Sequence, residues 1–417
     1  MILALVLAVS IPLAAACDDD GGDASKFEPD PTATARPFEP PEQGFAYVEL
    51  SDGTGGAMDA VYRVAVFDTA LMRDVASFEV TGLPGWPRPS IMLAGDRIYY
   101  RDLTTVRSRA LDGTDERLLH EAPPGGFVVH FDVAPDGRTL ALIEQAEEQC
   151  PTPGSEGAPV NCRPASEITH LSFIDIVSGQ VLRELQNAEP PLSDAGGAVT
   201  RVAWWTDGSR VTVDFTLNPE APGKHATLTP QGDMRLSRFG EFGWPVSPDP
   251  RYLFTGERLE ACDLNINRIE AAIVDLADDR VLASVRDESR LVVDAQWSPD
   301  ASELLFATQT FNLVPPPEGS GLNIMCRERN PESEQWSVLH RDGSSPETGV
   351  DPFAVLDRWQ GMAPIVFMCR GERIPGPEYC YTEGNIFSAG TRAPADVLFR
   401  GQRIASTEEF EVLGYLR

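Results

Sequence analysis

The chain has little positive charge. Its 417 residues carry 34 Lys and Arg against 64 Asp and Glu, which gives a formal net charge of -30 at pH 7. Such a surface repels the phosphate backbone of nucleic acids and, for the same reason, anionic lipid headgroups. The composition therefore argues against a nucleic-acid partner and against a basic patch that holds a membrane.

Familiar catalytic motifs are missing as well. The sequence has no G-x-S-x-G elbow, no H-E-x-x-H motif and no Gly-rich phosphate loop. The five His residues are scattered, and none has an evident nucleophile beside it: His120, His130, His170, His225 and His340. A triad that assembles only in space leaves no such motif, so these absences weaken the case for an enzyme and leave the question open.

The sequence also lacks a sustained helical period. From Gly44 onward, short β-rich runs alternate with turn residues, a pattern typical of an all-β domain. Hydrophobic residues make up 42% of the chain, which suffices for a globular core. Residues 17–43 differ, because they are rich in Asp, Pro, Gly and Thr and cannot bury enough apolar surface to fold. We expect an extended acidic tether at 17–43 and a folded domain at 44–417.

No apolar run at the N-terminus is long enough for a membrane span, which needs about 20 residues. Residues 1–16 are apolar apart from Ser10, the right length for the core of a secretory signal peptide. The sequence A-A-A-C ending at Cys17 resembles the bacterial lipoprotein signal, in which the Cys becomes the lipidated first residue. It departs from that signal in having Ala where Leu is usual and no Lys or Arg near Met1. The resemblance implies an extracytoplasmic protein anchored to a bacterial membrane only through a lipid on Cys17; the alternative is an ordinary signal peptide beside a chance Cys.

Six further cysteines remain: Cys150, Cys162, Cys262, Cys326, Cys369 and Cys380. An even number in an exported protein predicts disulfides. Proximity in sequence favours Cys150–Cys162 and Cys369–Cys380, which leaves Cys262–Cys326. Zinc is the competing interpretation, but no C-x2-C pair occurs and no His lies near these residues.

Four segments share one sequence pattern: an apolar run, then Ser, Ala or Thr with Pro or Asp, then a second apolar run. The four segments are 131–144, 202–215, 244–257 and 295–308. The plan predicts a β-hairpin whose turn carries an Asp that bonds to nearby backbone. The repeat-turn residues are Asp136, Asp207, Asp249 and Asp300, and a weaker copy contains Asp96. Second hairpins are predicted at 61–80, 169–185 and 270–285. Two hairpins per repeat of about 40–50 residues predict the four-stranded blades of a β-propeller.

The turn sequences W-S-P-D (297–300), A-P-D-G (134–137), W-T-D-G (205–208) and S-P-D (247–249) resemble the PD40 (WD40-like) repeats of bacterial TolB-type propellers. The resemblance implies a propeller and is nearly silent on function. We count seven blades, with six and eight as alternatives. Six run from about 86 to 402, and the copy near Trp359-Gln360-Gly361 is poor. The seventh combines strands at 45–50, 61–69 and 75–80 with residues 410–417, so that the two chain ends close the ring.

Loops between second and third strands hold all six remaining cysteines, at 145–168, 258–269, 309–335 and 370–383. They form a recognition face, or else the bridges simply hold long insertions together.

Four Trp residues are placed in first strands, where they pack between blades: Trp205, Trp244, Trp297 and Trp359. Trp336 is more open to a binding role.

We expect no cofactor, although Asp263, Asn265 and Asn267 resemble the opening of a calcium loop. The sequence departs from that loop because Arg268 stands where its Gly is expected and Val274 stands where its Glu is expected.

The first functional hypothesis is a protein-interaction or scaffold module of the cell envelope, which TolB-like relatives suggest by analogy of fold. The second is a receptor or sensor for a glycan or small ligand, which an aromatic-lined pocket would favour. The third is a propeller enzyme, such as a glycan lyase or hydrolase, which clustered carboxylates with one raised pKa would favour.

Overall fold

The computed structural model describes residues 38–52, 60–82, 91–145, 169–186, 192, 198–216, 223–241, 246–255, 270–287, 289–315, 326–360, 366–369, 380–382, 395–399, 402–407 and 410–416. The chain divides into two compact units, Met1–Glu39 and Pro40–Arg417. All described sheets belong to the second unit. In the described part of the chain, no helix is long and apolar enough to cross a membrane.

The second unit is built from seven antiparallel sheets, the blades. Blade 1 contains β1 (Gly44–Asp52), β2 (Ala60–Asp68) and β3 (Arg73–Gly82). Blade 2 contains β4 (Ile91–Ala94), β5 (Arg97–Arg101), β6 (Thr105–Ala110) and β7 (Arg117–Glu121). Blade 3 contains β8 (Phe127–Val133), β9 (Thr139–Gln145), β10 (Thr169–Asp175) and β11 (Val181–Gln186). Blade 4 contains β12 (Ala198–Trp204), β13 (Val211–Thr216), β14 (Gly223–Leu228) and β15 (Met234–Glu241).

Blade 5 has three strands among the described residues, β16 (Tyr252–Thr255), β17 (Glu270–Asp275) and β18 (Arg280–Arg286). Blade 6 contains β19 (Arg290–Trp297), β20 (Glu303–Val314), β21 (Cys326–His340) and β22 (Glu347–Thr348). A helix, α1 (Pro352–Gln360), precedes blade 7, which contains β23 (Val366–Cys369), β24 (Cys380–Thr382), β25 (Ala395–Phe399) and β26 (Gln402–Thr407). The last strand, β27 (Phe410–Leu416), joins blade 1.

The ring closes through the two ends of this unit. β27 pairs antiparallel with β1, with Gly44 opposite Leu416 and Glu49 opposite Phe410. β27 also contacts β4 of blade 2, and β1 contacts β26 of blade 7. The prediction of a seven-bladed propeller closed by its first and last strands is therefore confirmed.

The hairpin turns follow the chemistry of the repeat. Gly137 and Gly208 both have φ of +69°, the left-handed conformation that Gly adopts without steric cost. In the four repeat turns the Asp Oδ1 accepts the backbone N–H two residues further on, at 2.9, 2.9, 3.1 and 3.0 Å for Asp136, Asp207, Asp249 and Asp300. Each turn is thus fixed by the side chain of an Asp within it.

The core lies between neighbouring blades. Between blades 3 and 4, the rings of Phe173 and Trp204 meet edge to face with centroids 5.8 Å apart. Trp205 packs with Leu253 and Val274 of blade 5, and Trp297 packs in the cluster shared by blades 5 and 6. The inter-blade packing expected for these two Trp residues is present in the structure.

Trp359 differs from its prediction. It lies on α1 and not in a first strand, and it is fully buried against Leu305 and Val338 of blade 6. Pro352 supplies the fixed φ that favours the first helical position. Val355, Leu356 and Trp359 then recur at helical spacing on the buried face. The expectation of a strand that enters a repeat turn at Trp359 is therefore wrong.

Blade 7 departs from the order of the other blades. Its strands run β24-β23-β25-β26, so β24 pairs on the far side of β23 and follows it in sequence. The prediction of a loop at 370–383 is therefore wrong for Cys380–Thr382, which forms β24. A three-residue strand is too short to show alternation, so no sequence pattern marks it.

Candidate functional site

The propeller has two distinct ends, which we call the turn end and the loop end. Hairpin turns such as the one containing Asp136 lie at the turn end, and second strands run from there to the loop end. The chain enters β1 at the turn end, since Gly44 pairs with Asp68 where β2 finishes. The loop end is therefore opposite to the point at which the chain enters the propeller.

Among the described residues, blade 6 has the longest second and third strands, which lengthen it at its loop end. β20 and β21 have 12 and 15 residues, but β19 accompanies β20 only as far as Thr310. Four more cross-strand pairs come after it, from Phe311 opposite Arg329 to Val314 opposite Cys326. Residues 311–314 and 326–329 thus form a two-stranded projection, which we call the blade 6 ribbon.

The ribbon corrects the prediction of a loop at 309–335. Residues 309–314 and 326–335 are strand, and residues 316–325 lie outside the described residues. The second strand could not be predicted from the sequence because residues 326–330, C-R-E-R-N, show no hydrophobic alternation. Their pairing partner 311–314 supplies the apolar residues.

An ordered bulge separates the ribbon from the blade. Residues 331–334 of β21 have only Gln309 opposite them. Ser333 fixes the bulge, because its Oγ accepts the Thr310 N–H at 2.7 Å and donates to the Asn330 carbonyl at 2.7 Å. Gln309 Nε2 also donates to Glu334 Oε2 at 2.9 Å. A bulge bends its strand and changes the direction of the residues beyond it. The hydrogen bonds of Ser333 and Gln309 therefore fix the direction in which the ribbon leaves the blade.

Trp336 lies next to the bulge. Its Nε1 donates to Glu334 Oε1 at 2.9 Å, and its ring is half-buried against the cluster that contains Trp359. The side chain therefore joins the bulge to the packing around α1.

A polar row crosses blade 4. Arg201, Asp214 and His225 are opposite one another on β12, β13 and β14. Arg201 Nη1 lies 3.0 Å from Asp214 Oδ2, and His225 Nδ1 lies 2.7 Å from Asp214 Oδ1. Burial raises the pKa of the Asp214 carboxyl, but the charges and hydrogen bonds of His225 and Arg201 outweigh burial and lower it. Asp214 is held as a carboxylate with both oxygens engaged.

The row borders a cavity between blades 4 and 5. The cavity measures about 310 Å³ together with its open mouth. Beside the row it is lined by Thr212, Val246, Ser247, Pro250, Tyr252, Leu253, Phe254 and Leu276. The row was not predicted from the sequence, although Arg201 and Asp214 are equally spaced from the hairpin turn and a count outward from that turn places them opposite each other.

A second carboxyl ties blade 3 to blade 4. Asp132 on β8 accepts the N–H of Trp204 on β12 and, at 2.8 Å, the N–H of Val133. Burial raises the pKa of Asp132 to about 7, against the lowering effect of these two bonds and of Arg201. The Asp132 carboxyl is therefore partly protonated and partly ionised near neutral pH. Its hydrogen bond with the Trp204 N–H links blade 3 to blade 4.

Many predicted site residues lie outside the described residues. These are the signal segment 1–16, Cys17, tether residues 17–37, Cys150, Cys162, Cys262, Trp244, and the calcium candidates Asp263, Asn265 and Asn267. Cys326, Cys369 and Cys380 are described as strand positions, and the backbone register places Cys369 opposite Cys380. Among the described residues, no three His, Cys, Asp or Glu side chains are grouped as metal ligands would be.

No protein-family model and no curated protein matches the chain. Among solved structures it is similar to Kuenenia stuttgartiensis hydrazine synthase, with 15% identity over 60% of this chain and 62% of that chain and a TM-score of 0.33. It is similar to an oligogalacturonate lyase in complex with manganese, with 12% identity over 70% and 73% and a TM-score of 0.39. It is also similar to the dihydro-heme d1 dehydrogenase NirN, with 16% identity over 93% and 67% and a TM-score of 0.41. The chain spans less than two thirds of the hydrazine synthase chain, and likenesses this distant carry no activity or partner over to it.

Proposed function

We propose that the protein is a lipid-anchored, extracytoplasmic propeller of the bacterial cell envelope that binds a partner protein through the blade 6 ribbon. The observation that carries the proposal is the ribbon itself, which projects at the end opposite to chain entry. We also place the blades with the PD40 repeats of TolB-type propellers, on the sequences of their hairpin turns.

The ribbon has the properties of a recognition element. An isolated two-stranded hairpin is at best marginally stable in water, so one that projects from a blade gains by packing against something else. Its strand edges offer N–H and C=O groups to an added strand, a common mode of peptide recognition. In the described residues, β19 pairs with β20 only as far as Thr310, and β22 pairs with β21 only at Ser337 and Val338. Neither strand therefore pairs with the ribbon.

The anchor fits this geometry. A lipid on Cys17 would hold the protein, and residues 17–43 in an extended conformation would reach roughly 80 Å. Since β1 begins at the turn end, the tether joins the propeller at the end opposite to the ribbon. The predicted Cys262–Cys326 bridge would also tie the ribbon to the neighbouring blade.

Removal of the ribbon tests the proposal. Thr310 and Asn330 are cross-strand partners, so residues 311–329 can be replaced by Asn-Gly, which closes a two-residue hairpin turn. The deletion removes Cys326, so Cys262→Ser is added. The matched control keeps the ribbon and carries Cys262→Ser with Cys326→Ser. Both mature proteins are used to capture partners from detergent-solubilised envelopes of the source organism.

We expect one enriched protein with the control and its loss with the shortened variant. The captured protein, once purified, should bind the control directly and the shortened variant at least tenfold more weakly. Equal binding by both would contradict the ribbon as the interface, and absence of any enriched protein would favour a glycan or small-molecule ligand.

The anchor has a separate test. Cys17→Ala should move the protein from the membrane fraction to the soluble extracytoplasmic fraction. Continued membrane association of that variant would contradict the lipoprotein assignment.

A further inference from the structure

The turn end of the propeller exposes aliphatic side chains on its outer hairpins. Leu71 lies between β2 and β3 and is 56% exposed, and Val177 lies between β10 and β11 and is 87% exposed. Val181 and Leu182, the first two residues of β11, are exposed as well. Blade 5 adds Val281, the second residue of β18.

The strand register places both hairpin tips at the turn end. Asp68, the last residue of β2, lies opposite Gly44, where the chain enters β1. Asp175, the last residue of β10, lies opposite Thr139, which begins β9 just after the repeat turn. The exposed tips therefore lie at the end of the propeller that the tether joins.

Hydrogen bonds within each turn order the two tips. Asp68 Oδ1 accepts the N–H groups of Ala70 and Leu71 at 2.8 and 2.9 Å. Asp175 Oδ1 accepts the N–H and the hydroxyl of Ser178, both at 2.7 Å. Since these groups already have partners within the protein, they can enter a less polar environment without losing a hydrogen bond.

The exposed side chains are grouped. A single exposed aliphatic residue is ordinary on a protein surface. In the outer hairpin of blade 3, however, Val177, Val181 and Leu182 are exposed together, and the outer hairpin of blade 1 exposes Leu71 at the same end. Grouped exposure of this kind marks a contact surface.

The tether indicates what covers this surface. Residues 17–43 enter the propeller at the turn end, and a lipid on Cys17 would hold that end toward a membrane. Leucine and valine suit the boundary between headgroups and acyl chains, where apolar side chains are favourably buried. The net charge of -30 favours zwitterionic over anionic headgroups at this contact.

We propose that the turn end rests on the membrane, with Leu71, Val177, Val181 and Leu182 inserted among zwitterionic headgroups. The inference rests on the anchor in the proposed function and adds the orientation of the propeller. In this orientation the ribbon, at the opposite end, faces away from the membrane.

Fluorescence quenching by lipid tests this contact. A hexahistidine tag replaces Cys17 in the mature chain and holds it on phosphatidylcholine vesicles that contain a Ni²⁺-chelating lipid, so the test does not require lipidation. A fluorescent amino acid replaces Leu71, Val177 or, as the control, Leu103, an exposed leucine between β5 and β6 at the loop end. Vesicles with bromine on their acyl chains should reduce the fluorescence at positions 71 and 177 by about half and leave position 103 unchanged.

Charged substitutions show whether apolar contact causes the quenching. With the fluorophore at position 177, the double variant Leu71→Asp, Val181→Asp should lose most of the quenching, because carboxylates resist insertion at the headgroup boundary. The matched control Leu103→Asp should be quenched as the unsubstituted protein is. All three changes are at exposed positions, and equal melting temperatures check that the variants are folded.

Quenching at position 103 equal to that at position 177, or no quenching at either 71 or 177, would overturn the proposal. Stronger quenching on vesicles enriched in phosphatidylglycerol would also overturn it, because an acidic surface is repelled by anionic headgroups. Release of Cys17→Ala from the membrane fraction tests the anchor on its own, so failure of the anchor and failure of this contact give different results.

Discussion

Asp132→Asn should stabilise the propeller at pH 8 and destabilise it slightly at pH 4. Asp132 lies between blades 3 and 4, where burial raises its pKa from 3.8 to about 7. A raised carboxyl pKa favours folding below the unfolded value, near 4, and this contribution is lost as pH rises through about 7. The wild type is therefore penalised at pH 8 for a charge that Asn does not carry.

The size of the effect comes from the same shift. At 1.36 kcal/mol for each pH unit, a rise from 3.8 to about 7 corresponds to about 4 kcal/mol of free energy of unfolding. Asn has one acceptor oxygen where Asp132 uses two, for Trp204 and Val133. The lost bond costs about 1–2 kcal/mol. We therefore expect a gain of about 2–3 kcal/mol at pH 8 and a loss of about 1 kcal/mol at pH 4, where the bond is still lost but the wild type carries no charge at this position.

Urea unfolding followed by Trp fluorescence at pH 4, 6 and 8 measures this difference. The control is Asp136→Asn, in an exposed turn where Asn can still accept the Arg138 N–H; it removes no buried charge and should not stabilise the propeller at pH 8. A pH-independent loss of stability in Asp132→Asn would refute the reasoning, because it would show that the two backbone bonds outweigh the burial of charge.

Three further predictions concern stability and covalent structure. Hydrogen bonds from the hydroxyls of Ser209 and Ser289 are the largest cause that lowers the pKa of Asp207 and of Asp287. Their stabilisation is complete above the unfolded pKa, near 4, and is lost as pH falls below it. The double variant Ser209→Ala, Ser289→Ala should therefore lose less free energy of unfolding than the wild type does as the pH is lowered. The same pH dependence in both proteins would contradict this. Gly137→Ala should cost about 1 kcal/mol in urea unfolding from backbone strain alone, since no atom lies within 4 Å of the added Cβ; Gly137→Asn should cost less, and equal costs would point to another cause. Directly opposed strand residues have Cα atoms about 4.5–5.5 Å apart, within disulfide range, so the register of Cys369 and Cys380 predicts a bridge. Trypsin without reductant should release the peptide ending at Arg370 linked to the one beginning at Ile374, and alkylated Cys369 in unreduced protein would contradict it.

The sequence was most informative where local chemistry fixes local structure. The repeat-turn Asp residues and Gly137 mark hairpins because a turn needs an acceptor and a left-handed residue within a few positions. Closure of the ring was also predictable, since 45–50, 61–69 and 75–80 supply only three strands of a blade, and residues 410–417 are a strand-like segment that follows the last complete blade.

The remaining features depend on contacts that a local pattern does not encode. The strand at 326–330 is polar, and only its pairing with 311–314 makes it a strand. Trp359 lies on a helix because Leu305 and Val338 offer it a buried face.

Photo-crosslinking in living cells shows whether the ribbon is the surface that binds the partner protein. A photoreactive amino acid replaces Asn312, which is exposed on the ribbon, or Val177, which is 87% exposed in a turn at the opposite end of blade 3. If the ribbon binds the partner, position 312 gives one discrete protein adduct and position 177 gives none. An adduct from 177 alone, or the same adduct from both positions, would contradict it.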